Sequence, residues 1–390
     1  MRLLVVLPRV PYPLEKGDKL RAYHHLKYLS RFHEIHLCCL NDVALHPEAE
    51  ANLRPFCKSI HIIQLGKAGI YFNLLKAFLT GRPLQAGYFY RCRMQKKIEE
   101  IMHTVQPDHV FCQLIRTARY AEKLSIPTTL DFQDVFSVGA GRMKDSMPFY
   151  IRPFLGMESK RVAAYEAKMF DIFDNLIIIS EPDRSAICHP DKDKIVIVSN
   201  GVDEELFSPM EHEKKYELLF TGNMSYPPNV NSVEYLVNNV LPEVHRINPG
   251  VKLMIAGANP SAAVKALASE HVAISGWVED IRECYASAHI FIAPMQIGTG
   301  LQNKLLEAMA MQIPCITSPL ANKALAAVDG KDILVGSAPE EYAQHIIYLL
   351  NHPEKAAEIA RSGHDFVLQN YNWDTQTSKL ERLISGTKHI

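Results

Sequence analysis

Two doubly wound, Rossmann-like α/β domains in one chain are the fold the sequence predicts, and three observations predict it. The chain has 390 residues, 47% of them apolar and 22% charged, enough for two cores of ordinary size. Short β-branched or aliphatic runs alternate with amphipathic stretches throughout, which is the grammar of βαβ units around a parallel sheet. That alternation is interrupted once and then restarts. The interruption is residues 200–216, with Gly201, Pro209 and the run Glu211-His212-Glu213-Lys214-Lys215, and its polarity and lack of period place the hinge there. Twenty-three prolines and nineteen glycines are ordinary usage, which argues against collagen-like and low-complexity chains.

The first series opens with the apolar run 3–7, cut by Pro8 and Arg9. It is too short for a signal-peptide core or a membrane span and reads as a buried strand. A helical pattern over 19–32 follows, then strands at 35–40, 60–65, 109–112, 128–131, 176–179 and 195–198, with helical patterns around 95–104 and 162–173. Most are continuous apolar runs, as strands covered on both faces are. The second series gives strands at 218–221, 252–256, 272–275, 289–293, 315–317 and 333–335 with helices between them. A helix opened by Pro353 precedes residues 371–390, an amphipathic run with Trp373, Leu380 and Leu383 that is expected to cross back onto the first domain. The expected domains are therefore 1–205 and 206–370, with 371–390 as the returning helix. Such sheets bind ligands outside the carboxyl ends of their strands, so the active site is expected in a central cleft that both domains face.

Eight cysteines show no CxxC pair and no metal-ligand spacing, which fits free thiols in a reducing cytoplasm and no metal site. The net charge of -1 divides unevenly. Residues 1–200 carry +7 and the remainder -8, a difference that favours an anionic partner at the first half or reflects an ordinary solvated surface. Residues 66–97 contain no acidic residue. In them Lys67, Lys76, Arg82, Arg91, Arg93, Lys96 and Lys97 interleave with Tyr71, Phe72, Phe78, Tyr88, Phe89 and Tyr90. That composition suits a peripheral membrane contact or a polyprenyl-linked acceptor, and equally a solvated face. No recognition-helix or single-strand-binding signature accompanies it, so nucleic acid is not an expected partner.

The densest chemical signal is residues 293–318, APMQIGTGLQNKLLEAMAMQIPCITS. A strand ends at Pro294, a loop with Gly298 and Gly300 follows, a helix starts near Leu301, and Pro314 opens the next strand. The glycines admit close backbone approach to a ligand, and the free amides of a first helical turn suit phosphate. Lys304 and Glu307, three apart, share a helical face. A lysine there can neutralise a diphosphate while a carboxylate accepts from vicinal hydroxyls; the same spacing also fits a surface salt bridge. A second basic loop, residues 13–21, has Gly17 at its turn with Lys16, Lys19 and Arg21 around it, and reads as phosphate-facing or as a solvated helix start. In LDFQDVFSVGAGR (130–142), Asp131 and Asp134 end a first-domain strand and are candidates to orient an acceptor, with a helix cap as the other reading of Asp134.

The 293–318 segment resembles the signature of retaining GT-B glycosyltransferases of family 4, in which two glutamates separated by seven residues precede an Ala-Met-Ala stretch and a proline. Glu307 falls on the second glutamate, and Thr299 stands where the first would be. The segments PRVPYPLEKGDKLRAYHHLKYLSRFHEIHL, FTGNMSYPPNV, NKLLEAMAM and NGVDEELFSP extend the likeness over nearly the whole chain and resemble exopolysaccharide- and exosortase-associated sugar transferases. The resemblance implies a GT-B fold and a nucleoside diphosphate sugar as co-substrate, with no cofactor and no metal ion. It implies transfer with retention to a hydroxyl of a glycan or lipid-linked acceptor, in the cytoplasm or at the inner face of a membrane. It also implies that the Gly17 loop touches the donor phosphates or the acceptor, that Gly222 and Asn223 approach the phosphates, and that the Gly276-Trp277-Val278 segment bonds the nucleobase through the main chain of Val278. The basic residue that usually follows Gly222 is missing, and Gln113 stands where a histidine is common. The expected donor set is then Gly17, Lys19, Gly222, Asn223, Gly276, Trp277, Val278, Gly298, Thr299, Gly300, Leu301, Lys304 and Glu307, with Lys304, Glu307, Asp131 and Asp134 as catalytic candidates. Two other readings remain at this level, a nucleotide-sugar epimerase on the same frame and a catalytically silent nucleotide-sugar-binding protein.

Overall fold

The computed structural model describes residues 1–146, 148–298 and 300–386, with the side chains of 142–146 left out. The chain divides into two compact units. The first comprises Met1–Ser199 together with the chain from Trp373 onward, and the second is Asn200–Asn372.

The first unit holds a parallel sheet of β1 (Arg2–Leu7), β2 (Glu34–Asn41), β3 (Ser59–Gln64), β4 (His109–Gln113), β5 (Thr128–Asp131), β6 (Asn175–Ile178) and β7 (Val196–Ile197) in the order β3-β2-β1-β4-β5-β6-β7. The chain starts in the middle, winds to one edge, returns past β1 and winds to the other, so the order reverses between β1 and β4. Successive side chains of a strand point to opposite faces, and β1 shows it. Leu4 and Val6 enter one core with Val110, Leu130 and Ile178, whereas Leu3, Val5 and Leu7 enter another with Ala22, Leu26 and Leu37. Two covered faces explain why β1 reads as a continuous apolar run rather than an alternating one.

The second of these cores is completed from the far end of the chain. Leu380 and Ile384 of the helix Trp373–Ile384 are 0% and 3% exposed within it. Trp373 stacks on His24 with ring centroids 4.6 Å apart, and Asp374 accepts from Arg31 at 2.5 Å.

The second unit repeats the winding with β8 (Tyr216–Thr221), β9 (Leu253–Ala256), β10 (Val272–Gly276), β11 (Ala288–Ala293), β12 (Cys315–Thr317) and β13 (Leu334–Val335) in the order β10-β9-β8-β11-β12-β13. Its reversal lies between β8 and β11. Residues 200–205, placed with the first domain by the sequence, belong here. The Val202 amide donates to the Tyr371 carbonyl at 2.7 Å, Val202 is buried in this unit's core, and Phe207 meets Tyr285 edge-on at 6.2 Å. The polar run around Glu211 hides a segment whose ends are anchored.

The helix Gly17–Leu29 begins two residues before its expected start, and Arg152–Ile172 begins ten residues before its own. Residues 66–94, given no elements by the sequence, form the helices Lys67–Leu79 and Leu84–Tyr88 and the start of Cys92–Thr104, three residues before its expected start.

Candidate active site

In an open parallel sheet the loops leaving the two strands at the reversal diverge, and a crevice opens between them. In the second unit those strands are β8 and β11. β8 ends at Thr221, and Gly222 follows at φ 153°, with Gly257 beyond β9 at φ 140°, values that L side chains rarely adopt. A Cβ on Gly257 would lie 1.8 Å from the Gly222 carbonyl oxygen; one on Gly222 would lie 2.6 Å from Asn229 Nδ2 and 3.2 Å from Lys304 Nζ. The Gly257 amide donates to the carbonyl of Gly276 at 3.0 Å, which links the end of β9 to that of β10.

Lys304 is the second residue of the helix Asn303–Ala310 and is only 8% exposed. Its Nζ donates to Asn229 Oδ1 at 2.5 Å and sits 4.2 Å from the Phe220 ring centroid. Asn229 is oriented from its other end, where Nδ2 donates to the Asn223 carbonyl at 2.9 Å. Glu307, half-buried one turn on, accepts at Oε2 from the Tyr285 hydroxyl at 2.8 Å, and the Thr221 hydroxyl lies 2.8 Å from that same phenol oxygen. No ion pair joins Lys304 to a carboxylate among the described residues, so the surface salt bridge that the spacing also allowed does not form.

Burial lowers Lys304 from its ordinary value to about 7, with the Glu307 charge opposing. Burial raises the Glu307 carboxyl, against the pull of the Tyr285 hydrogen bond and the Lys304 charge. An ammonium group has three donors, and among the described residues this one meets a single neutral acceptor and a ring face. An ammonium so placed gains charge beside an anion. The helix Asn303–Ala310 is capped at Gln302 without a side-chain hydrogen bond to the first turn, the Leu305 amide donates to the Gln302 carbonyl at 3.0 Å, and a helix start without a side-chain cap suits an anion.

The other expected residues of this unit distribute around that centre. Gly298 at φ 99° has only the Pro228 side chain near the direction of a Cβ, at 3.7 Å. Gly300 has open space there, and its carbonyl accepts from Gln302 Nε2 at 2.9 Å. Thr299 lies outside the described residues. Leu301 packs half-buried on the core. Asn223 contributes through its backbone, because its Oδ1 is taken by the Ser225 amide and hydroxyl at 3.0 and 2.8 Å. Trp277 is 72% exposed. Val278 packs on the core and lines, with Phe207 and Asp280, a cavity of about 560 Å³.

In the first unit the expectations divide. Gly17 opens the helix Gly17–Leu29, whose N-cap Lys16 makes no side-chain cap. Lys19 is 9% exposed, and burial lowers its ammonium with Glu15 opposing. Asp131 and Arg21, one expected to orient an acceptor and the other to surround a phosphate loop, are instead each 0% exposed and bonded to one another. Arg21 Nε donates to Asp131 Oδ2 at 2.6 Å and Nη2 to Oδ1 at 3.2 Å. A carboxylate and a guanidinium left in water-free surroundings must pair, and a pair this closed offers no oxygen to a substrate. Asp134 is exposed and accepts from the Val135 amide at 2.7 Å just before the helix Phe136–Ser146, a local turn contact.

Several participants escaped the sequence reading. Asn229, Phe220, Thr221 and Tyr285 look like core or helix residues in sequence; the one legible sign was Asn229 directly after Pro227-Pro228 at a helix start. At the β1/β4 reversal the structure adds Arg9, which pairs with Asp18 at 2.7 Å. It also adds Arg116, lowered by burial to about 10 and set against the rings of Phe89 and Phe136 at 5.0 and 4.7 Å.

Residues 215–352, which contain the Lys304 centre, match the family described as Glycosyl transferases group 1. The chain is a glycosyltransferase with the GT-B fold. This glycosyltransferase is 24% identical over 403 residues to an uncharacterized 44.6 kDa protein in the cps region of Klebsiella pneumoniae, covering 95% of this chain and 96% of that one. It is 27% identical over 164 residues to a GDP-mannose-dependent α-(1-6)-phosphatidylinositol monomannoside mannosyltransferase of Mycolicibacterium smegmatis, covering 38% and 43% of the two chains. Among solved structures, sucrose-phosphate synthase of Thermosynechococcus elongatus superposes with TM-score 0.71 at 13% identity over 99% of both chains. HepE of Anabaena in complex with UDP-glucose superposes with TM-score 0.70 at 11% identity, over 99% of this chain and 100% of the other. These likenesses confirm the two-domain fold that the sequence predicted.

Proposed function

We propose that this glycosyltransferase moves a sugar from a nucleoside diphosphate to a hydroxyl of a glycan or lipid-linked acceptor, with retention at the anomeric carbon, in polysaccharide synthesis. The observation that carries the reading is Lys304. A buried ammonium with one neutral acceptor, beside the bare Gly222 backbone at an uncapped helix start, is built for a dianionic guest rather than for stability. As the sugar–phosphate bond breaks, negative charge collects on the departing diphosphate. Lys304 and the first-turn amides face that charge without needing to reorganise, and each such donor contributes about 3 kcal/mol to the rate of related reactions. On this reading no divalent ion is required. Glu307, held by Tyr285, accepts from hydroxyls of the donor. The Klebsiella relative in a cps region supports the polysaccharide setting, the UDP-glucose complex of the structural neighbour supports a nucleotide-sugar donor, and retention follows from the signature resemblance.

The test is a screen of nucleotide sugars against the purified chain in the presence of EDTA. Release of nucleoside diphosphate, accelerated by an acceptor glycan, is the expected result. Interconversion of the sugar without release assigns an epimerase, and saturable binding with neither outcome assigns a silent binding protein; either contradicts the proposal.

A further inference from the structure

The helix Lys67–Leu79 is tied down chiefly along one side. A Cβ on Gly69 would touch the Arg91 guanidinium, Asn73 donates to the Tyr90 carbonyl at 2.8 Å, and Gly87 lies so close that a Cβ there would meet Ala77 at 2.6 Å. At 100° per residue, Phe78, Tyr71, Leu75, Leu79 and Phe72 then occupy the opposite arc of roughly 120°. Four of them, Tyr71, Phe72, Leu75 and Leu79, are 59–73% exposed. Lys67 and Lys76 flank that arc on its two sides, and residues 66–97 carry no carboxylate. The apolar surface continues through Phe154, whose ring lies 6.4 Å from that of Phe78, toward Phe149 and Tyr150, 80% and 69% exposed.

Beside this surface is a groove of about 810 Å³ whose lining carries, among the described residues, the cations Arg82, Arg152, Lys160, Arg161 and Lys168 and the carboxylate Glu122, which pairs with Arg82 at 3.5 Å and lies 4.0 Å from Lys168. Arg161 lies over the Phe78 ring at 5.2 Å, so groove and apolar face share a wall. Arg82 Nη1, Arg161 Nη1, the Tyr165 hydroxyl and Glu122 Oε1 are buried there without a hydrogen-bond partner among the described residues. Five cations around one carboxylate call for a further anion, and exposed rings and leucines call for an apolar medium.

We propose that the first unit docks on an anionic bilayer, with Tyr71, Phe72, Leu75, Leu79, Phe149 and Tyr150 entering the interface and the neighbouring groove receiving a phospholipid phosphate. One amphipathic face with cations at its edges matches the chemistry of such a surface, where apolar burial and attraction to anionic lipid act together. The membrane is met peripherally, since among the described residues no helix is long and apolar enough to cross one.

The full chain is centrifuged with vesicles of phosphatidylcholine alone or of phosphatidylcholine and phosphatidylglycerol in equal parts. Sedimentation with the mixed vesicles only, weakened by salt, is expected. The exposed-face variant Tyr71→Ser/Leu75→Ser/Leu79→Ser and the groove variant Lys160→Gln/Lys168→Gln should each bind the mixed vesicles at least tenfold more weakly. Both variants should keep the thermal shift given by nucleoside diphosphates, a readout of the second unit whose loss bears on the donor site and not on the membrane. Binding equal on both vesicles, binding to neither, or wild-type binding by the triple variant overturns the proposal. So does a dimer in the absence of vesicles that the triple variant dissolves, because the face then belongs to a second copy.

Discussion

Lys304 combines a cost to the fold with a use for the site. Its pKa in the folded state, about 7, lies below that of an unfolded lysine, near 10.4. The unfolded chain therefore binds more protons between those values, and the penalty is fully present below pH 7 and relieved as pH rises. Removing the charge while keeping the volume should thus spare the fold. Lys304→Met is expected to leave the melting temperature at pH 7 unchanged or higher and to weaken nucleoside diphosphate binding at least tenfold, as read by calorimetry. The wild-type site must also hold its proton to bind an anion. Affinity is expected to fall as pH rises above 7, approaching about tenfold per pH unit, and a flat profile between pH 6.5 and 9 would contradict that. The spacing of Lys304 and Glu307 was legible in the sequence. Their burial was not, because it depends on Asn229, Phe220 and Tyr285, which arrive from other elements and look in sequence like residues with packing roles.

At the scale of elements, the strand ends depend on glycine where backbones nearly touch. Gly257→Ala places a Cβ against the Gly222 carbonyl at a backbone angle that alanine resists. A loss of about 3 kcal/mol in urea unfolding of the second unit is expected, larger than for Gly300→Ala, which meets open space. Each of the thirteen strands among the described residues overlaps a segment that the sequence marks as a strand, most of them apolar runs, because a strand covered on both faces leaves an unbroken hydrophobic record. Helix starts were read less well. Arg152–Ile172 begins in a stretch with no clear apolar period, and Lys67–Leu79 turns Ile70 and Ala77 toward the unit's core but carries its large rings and Leu75 and Leu79 on the exposed side, so the usual rule that the greasy face is the buried one fails there. Asp131 illustrates a different limit. A carboxylate at the carboxyl end of a strand has the address of a functional residue, and only the three-dimensional position of Arg21 shows it to be a buried structural pair.

At the scale of the whole molecule, the first unit is completed by the last helix. Trp373, Leu380 and Ile384 are each at most 5% exposed, and removing them opens a core built on β1. Truncation after Asn372 is expected to lower the melting transition of the first unit by about 10 °C or more while the second unit still binds nucleoside diphosphate. Equal melting of both forms, followed by scanning calorimetry, would contradict that assignment. The return of the chain was visible as amphipathic spacing around Leu380, whereas the position of the break was displaced by six residues because Val202 and Phe207 anchor a segment that is polar elsewhere.

The central claim is that Lys304 sits half-charged at the start of its helix until a diphosphate arrives. NMR titration of ε-labelled lysines, with Lys304→Met identifying the signal, reads it directly. A midpoint near 7 in the free protein, rising by at least one unit with saturating nucleoside diphosphate, is the predicted result. A lysine that titrates near its ordinary value and does not move when the nucleotide is added would contradict the account.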